Sequence, residues 1–258
     1  MPSREHKTST DLHWDTRPTS VEDHRKVNIA DLAQRRLENE FLFAHLASTD
    51  RVLEIGCGNG FLTQDLRTRV AFVDSIDFSE NMIASAKARY GESNNRFVVD
   101  SVFAGTQIRP PYDKVVCVRV LINLANLEEQ KAAVASMARW VTPGGSLLMI
   151  EGFREGFEAL DRLRGECGLP EIKPAAINFY SQLADLMPEM ERHFDLTGEW
   201  HSGTFDVLTR VAKPLLLGAE NVDRMPEFGE KIVSLALALN PDVLKRFARM
   251  RGFVLRRC

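Results

Sequence analysis

The chain has 258 residues, 33 Lys and Arg against 36 Asp and Glu for a net charge of −3, 44% hydrophobic residues, 16 Gly and 11 Pro. That composition describes one generous globular domain or a core with a sizeable appendage, and it sets aside collagen-like, disordered and disulfide-scaffold classes. The weakly acidic balance offers no general attraction to a phosphate backbone, so no nucleic-acid partner is expected. No stretch approaches the roughly 18–20 apolar residues that span a bilayer, and the first 25 residues lack the apolar centre of a secretory signal, so the expected setting is cytoplasmic, with no membrane partner. Cys57, Cys117, Cys167 and Cys258 stand singly without CxxC or Cys/His spacing. They read as reduced thiols, and no metal site is expected.

Residues 1–25 are polar with no hydrophobic period, which predicts a segment that is mobile unless it docks on the core or a ligand. From Val27 to Leu46 apolar residues recur at helical spacing between the charged positions Asp31, Arg35, Arg36, Glu38 and Glu40, predicting an amphipathic helix. Strands and helices then alternate, the pattern of a parallel α/β sheet. The expected strands are Arg51–Ile55, Val70–Asp77, Arg96–Asp100, Lys114–Val118 and Ser146–Glu151. Helices are expected over Phe61–Arg69, from Ser79-Glu80 onward, and over Glu128–Trp140, the last closed by Thr142-Pro143-Gly144-Gly145. Beyond Glu151 a helix over Gly156–Cys167, edge strands over Leu196–His201 and Arg251–Arg257, and helical patterns over Phe205–Leu217 and Gly229–Leu239 are expected.

The first strand ends in Glu54-Ile-Gly56-Cys57-Gly58-Asn59-Gly60, at the carboxyl edge where open α/β sheets bind ligands. Glycines there let backbone turn tightly and approach a ligand closely. A P-loop requires a Lys that is absent, and a dinucleotide fingerprint requires G-x-G-x-x-G where this loop has Phe61 in the place of the third glycine. The preceding Glu54 carboxylate repels phosphate and accepts from an ammonium group. Asp77 ends the second strand at the distance where an acid accepts ribose hydroxyls, and Asp100 ends the third, where a carboxylate can take the exocyclic amine of adenine. Three acids at three successive strand ends suit a ligand with amine, ribose and adenine parts.

These residues resemble the class I S-adenosylmethionine-dependent methyltransferases. Val52–Gly60 looks like their first motif, Ser75–Met82 their second, Phe97–Asp100 their third, and Trp140–Gly145 the turn before their fifth strand. The resemblance spans about residues 48–151. It implies a Rossmann-like α/β fold: a doubly wound, seven-stranded, mostly parallel sheet with helical cap elements. It also implies S-adenosylmethionine as cofactor, with Glu54, Gly56, Cys57 and Gly58 around the methionine part, Asp77 on the ribose, Phe78 and Met82 beside the adenine, and Asp100, Ser101 and Val102 bounding the base. Residues 1–45 are then a cap or lid, 46–155 the cofactor-binding core, and 156–258 acceptor-binding insertions and edge strands. A thinner resemblance, in Arg119–Leu124, Gln130, Leu163-Arg164, Gly168–Ile172 and Asn178–Tyr180, is to a bacterial subgroup that modifies sugars, polysaccharide precursors or secondary metabolites. Base methylation is disfavoured, because Pro110-Pro111-Tyr112 precedes the fourth strand instead of ending it.

Methyl transfer from a sulfonium mainly requires alignment and exclusion of water, with a base only for a poorly acidic hydroxyl. Arg119 and Asn123 follow the fourth strand and are the catalytic candidates, Arg119 holding the methionine carboxylate or an acidic acceptor unless it forms a surface ion pair. If the N-terminal segment covers the ligand, His13 becomes the candidate base, and Trp14 and Arg25 join the site. Trp14 is the most suggestive of these, since a lone Trp in a polar tail lacks a structural reason unless something covers it. Asn178, Tyr180 and His201 are candidate acceptor contacts. The expected partner is a small-molecule acceptor methylated on O or N, and the chain is expected to be a monomer or homodimer. A nicotinamide-dependent oxidoreductase and a non-catalytic methyltransferase-like binding module are the competing readings.

Overall fold

A computed structural model describes residues 8–91, 93–224 and 227–258. Residues 1–7 of the expected cap lie outside them. In chain order the main elements are α1 (Ser9–Ser20), α2 (Leu32–Phe43), β1 (Arg51–Ile55), α3 (Phe61–Leu66), β2 (Phe72–Asp77), α4 (Glu80–Tyr90), β3 (Asn95–Val99), β4 (Tyr112–Val118), α5 (Leu127–Trp140), β5 (Val141–Gly152), α6 (Arg154–Glu166), α7 (Leu183–Glu191), β6 (Phe194–His201), α8 (Gly203–Val207), α9 (Lys213–Leu217), α10 (Glu227–Ala238) and β7 (Met250–Arg257). A π-helical stretch, Leu208–Ala212, joins α8 to α9.

The seven strands form one sheet in the order β3-β2-β1-β4-β5-β7-β6. Pairings from β3 to β5 are parallel, and β7 runs antiparallel to both β5 and β6. The expected mostly parallel, seven-stranded, Rossmann-like sheet is thus what forms, with the strand order reversing between β1 and β4. The middle strands are buried on both faces, which is why they read as short apolar runs rather than alternating ones. One face packs Leu53, Val115, Cys117, Leu147, Met149 and Phe253 against α5 and α7. The other packs Val52, Val73, Val116, Leu148 and Ile150 against Phe41 and Leu42 of α2 and Leu62 and Leu66 of α3. α8 and α10 form a smaller cluster over α2, built on Ala33, Leu37, Phe205, Val233 and Ala236.

Two local expectations are corrected. The helix expected from Val27 starts at Leu32, because Asp31 caps it by accepting from the Gln34 N–H at 3.1 Å. The polar N-terminal segment contains a twelve-residue helix, α1, opened by a capping box between Thr8 and Asp11. α1 buries no residue completely and docks through polar atoms: Ser79 Oγ donates to the Asp15 carboxylate, Asn81 to Asp15 O, and Arg17 Nε to Val27 O at 2.9 Å.

Candidate active site

Where the strand order reverses, a cleft of about 1340 Å³ opens at the carboxyl ends of β1, β2 and β4. Its floor is the glycine loop. Gly56, Gly58 and Gly60 adopt φ of 67°, 54° and 78°. A Cβ on Gly58 would stand 2.3 Å from the Asn28 amide, which donates back to Cys57 O at 3.2 Å. The positive φ favours glycine there, and any side chain would also push the Asn28 amide off Cys57 O.

The loop's N–H groups are already in use, and they shape the acids. Gly58 N–H donates to Asp77 Oδ2 at 2.8 Å and Ser79 N–H to Asp77 Oδ1 at 2.9 Å, so the carboxylate is fixed with its remaining lone pairs available to the cleft. Burial pushes the Asp77 carboxyl up to about 6 against these two bonds. Glu54 accepts from the Thr63 and Ser75 hydroxyls, and burial raises it to about 7. Asp100 accepts from the Ser101 and Gln107 N–H groups, both at 2.7 Å, which folds the 101–107 turn beneath the cleft.

Of the residues expected to surround the cofactor, Glu54, Gly56, Gly58, Asp77, Phe78, Met82, Asp100, Ser101, Val102, Arg119 and Trp14 border this cleft. Cys57 does not: its thiol is buried in a separate cluster with Ile83, Ala86 and Phe97, and burial raises its pKa well above the ordinary value. The cleft also gathers His13, Asn123 and Asn178. Trp14 Nε1 donates to Asn123 Oδ1 at 3.1 Å, and Asn123 Nδ2 donates to Arg119 O at 2.7 Å, so Asn123 ties α1 to the end of β4. His13 meets the Trp14 ring edge-on at 5.0 Å, and burial together with Arg17 lowers its pKa, which keeps the imidazole neutral at pH 7.

Two acceptor expectations are corrected. His201 lies on the far edge of the sheet, 6% exposed, its Nδ1 accepting from the Gly203 N–H at 3.2 Å, and it does not border the cleft. Tyr180 also stays outside: its ring packs on Phe157 and covers Gly152, and its hydroxyl accepts from Asn178 Nδ2 at 3.0 Å. Arg25 pairs with Asp23 at the surface and does not reach the site. Among the described residues of 156–258, only the turn Ala175–Phe179 borders the cleft, held by Phe179 N–H to Ile122 O at 2.7 Å and Gln130 Nε2 to Phe179 O at 3.1 Å.

Arg119 is the one non-glycine residue with positive φ, 57°, among the described residues. Its N–H donates to Ile150 O at 2.8 Å, and the next three N–H groups, of Val120, Leu121 and Ile122, converge on the buried Glu151 carboxylate, which holds the chain in this uncommon conformation. Its guanidinium is bound by Glu38 of α2. Arg35, one turn before Glu38, was not singled out as a site residue in the sequence. It borders the cleft at 9% exposure, 4.9 Å above the Phe61 ring, with no hydrogen bond or ion pair among the described residues. Burial and the nearby Arg119 lower its pKa to about 10 against the opposing pull of Glu38, Glu54 and Asp65.

Residues 52–145, which carry the glycine loop and the carboxyl ends of β1, β2, β3 and β4, match the methyltransferase domain family. That stretch is thus similar to a methyltransferase domain. The chain is 29% identical over 144 residues to a malonyl-[acyl-carrier protein] O-methyltransferase of Bacillus anthracis, covering 52% of this chain and 51% of that protein. It is 27% identical over 154 residues to a ubiquinone biosynthesis O-methyltransferase of Dechloromonas aromatica, covering 54% and 65%. The chain thus spans about half the length of the first of these relatives and under two thirds of the second. In fold, the methyltransferase domain and its surroundings resemble the N-methyltransferase NodS of Bradyrhizobium japonicum, solved with S-adenosyl-L-homocysteine, at a TM-score of 0.61 and 13% identity over 97% of this chain and 99% of that one. No helix among the described residues is long and apolar enough to cross a membrane.

Proposed function

We propose that the chain transfers a methyl group from S-adenosylmethionine to an oxygen or nitrogen of a small-molecule acceptor such as a sugar, a polysaccharide precursor or a secondary metabolite. The observation that carries this reading is that one cleft brings together a clamped acid, Asp77, a buried guanidinium without a hydrogen-bond partner, Arg35, and a glycine loop held at positive φ. Those groups fit a ligand with ribose hydroxyls at one end and an α-carboxylate at the other. The relatives, named as O-methyltransferases, support the same class of chemistry.

Asp77 would accept from the ribose hydroxyls, its carboxylate prevented from rotating by the Gly58 and Ser79 N–H groups. Arg35 would take the carboxylate and Glu54 the amine, whose positive charge favours the ionised acid. Met82 and Phe78 would bracket the base with apolar surface. The bound cofactor supplies an electrophilic methyl on sulfur, and the remaining task for the protein is alignment and exclusion of water. α1 performs the exclusion, closing over the cleft through Trp14 to Asn123 and Ser79 to Asp15. His13, neutral at pH 7, is the group positioned to accept a proton from an acceptor hydroxyl. In this reading 8–29 and 175–179 form the acceptor-facing cap.

Incubation with labelled S-adenosylmethionine and fractionated metabolite pools, followed by mass spectrometry of labelled products, tests the proposal. A labelled small molecule is expected. Tight binding of S-adenosylhomocysteine without transfer to any pool would favour the binding-module reading, and binding of NAD instead would favour the oxidoreductase.

A further inference from the structure

Arg35 and Glu38 lie three residues apart on α2, the spacing at which opposite charges on one helix normally pair. They do not pair. Glu38 Oε1 instead accepts from Gln34 Nε2 at 3.1 Å and from Arg119 Nη2. Gln34 Oε1 in turn accepts from Arg249 Nη2 at 2.9 Å. Arg249 closes the series by donating Nε to Asp206 Oδ1 and its own N–H to Asp206 Oδ2, each at 2.8 Å, with Ser202 Oγ donating to the same carboxylate. The row Asp206, Arg249, Gln34, Glu38, Arg119 thus runs from α8 through the residue that precedes β7 and across α2 to the cleft. Its formal charges cancel, two acids against two guanidiniums.

Gln34, Glu38 and Asp206 are 3%, 3% and 0% exposed. A buried polar chain of this length is not a cheap way to attach helices to a sheet, since packed apolar side chains of similar volume serve at least as well. The middle position must accept from Arg249 and donate to Glu38 at once, which the Gln34 amide does through its oxygen and its nitrogen. The effect at the cleft end is specific: Glu38 is turned toward Arg119, and Arg35 is left as a buried guanidinium with no hydrogen-bonded carboxylate, felt by Glu38, Glu54 and Asp65 only through space.

We propose that Gln34 and Arg249 are positioning residues that hold Glu38 on Arg119 and so reserve Arg35 for the carboxylate of the cofactor's amino-acid end. The inference rests on the cofactor assignment above. Without Gln34, Glu38 loses one of its two donors and can turn to the guanidinium on its own helix, where it competes with the ligand carboxylate.

The test compares two named ligands by calorimetry: S-adenosylhomocysteine, which carries the carboxylate, and 5′-methylthioadenosine, which shares the adenosine and sulfur but lacks it. Gln34→Met keeps the side-chain volume and removes both amide bonds. The expected result is a loss of about tenfold in affinity for S-adenosylhomocysteine, the scale of one charged hydrogen bond, with 5′-methylthioadenosine unchanged within about twofold. Gln34→Glu keeps a partner for Arg249, so it retains that link to the fold, and repels Glu38; the same selective loss is expected. Adding Glu38→Gln to Gln34→Met removes the competing charge, and affinity for S-adenosylhomocysteine should recover. Equal losses for both ligands, or no loss for either, would overturn the positioning role. Wild-type protein that binds neither ligand would overturn the cofactor assignment itself, a different result.

Discussion

Glu54 and Asp77 are buried carboxylates whose hydrogen bonds come from hydroxyl and backbone donors, with no ion pair among the described residues. Their pKa values of about 7 and about 6 lie above the ordinary 4.5 and 3.8. The folded chain therefore holds these protons more tightly than the unfolded chain, and their contribution to stability is fully present at low pH and declines as pH rises through about 4 to 7. A ligand amine reverses the preference at Glu54 by favouring its charged form. The dissociation constant for S-adenosylhomocysteine should accordingly tighten as pH rises from 6 to 8, and calorimetry on Glu54→Gln should show that slope flattened. Asp77→Asn places an NH2 group against one of two N–H donors and removes the charge, so affinity should fall by about tenfold or more, read in the same titrations. His13→Asn should leave that affinity unchanged and lower the initial rate of labelled transfer by at least about 100-fold if the acceptor is a hydroxyl, with the wild-type rate falling at acidic pH as His13, its pKa lowered by burial and Arg17, takes up a proton. Arg35 shows why part of the site was hidden in the sequence. Among Arg36, Glu38 and Glu40 it reads as one charge on a solvated helix face, and only the fold reveals that this face looks into a cleft.

At the scale of elements, the glycine loop and the strands were legible because their physics is local: short apolar runs buried on both faces, each ended by residues that permit a turn. α1 was not. A helix without a fully buried residue leaves no hydrophobic period to read, and its contacts are made by Trp14, Asp15 and Arg17, whose partners are distant in the chain. The Thr8 and Asp11 capping box was the available signal. Twelve residues are marginal as an isolated helix, so α1 depends on what it covers. Amide exchange over Ser9–Ser20 should slow when S-adenosylhomocysteine binds, and Trp14→Ala should remove most of that protection. Gly58→Ala tests the cradle: at φ 54° and 2.3 Å from Asn28, the added methyl should destabilise the protein by about 1–3 kcal/mol in denaturant unfolding and weaken ligand binding further.

Across the whole molecule, the long C-terminal portion expected to recognise the acceptor mostly does something else. α8 and α10 pack on the outside of α2, and among the described residues of that portion only 175–179 reaches the cleft. Helical spacing could reveal those helices but not which surface they cover, because that depends on partners such as Ala33 and Leu37 nearly 200 residues away. The edge strands follow the same rule: β7 is inserted between β5 and β6, so neither antiparallel pairing is local in sequence. Deleting residues 250–258 would uncover β5 and strand β6, and circular dichroism should show loss of the cooperative melt. The insertion of β7 also sets a timetable. A chain leaving the ribosome completes the glycine loop, Asp77 and Arg35 early, yet Arg249 emerges well after all of them, and until it does Gln34 has no cation to accept from. The ligand pocket is therefore drafted by the first half of synthesis and finished only when the second half threads home.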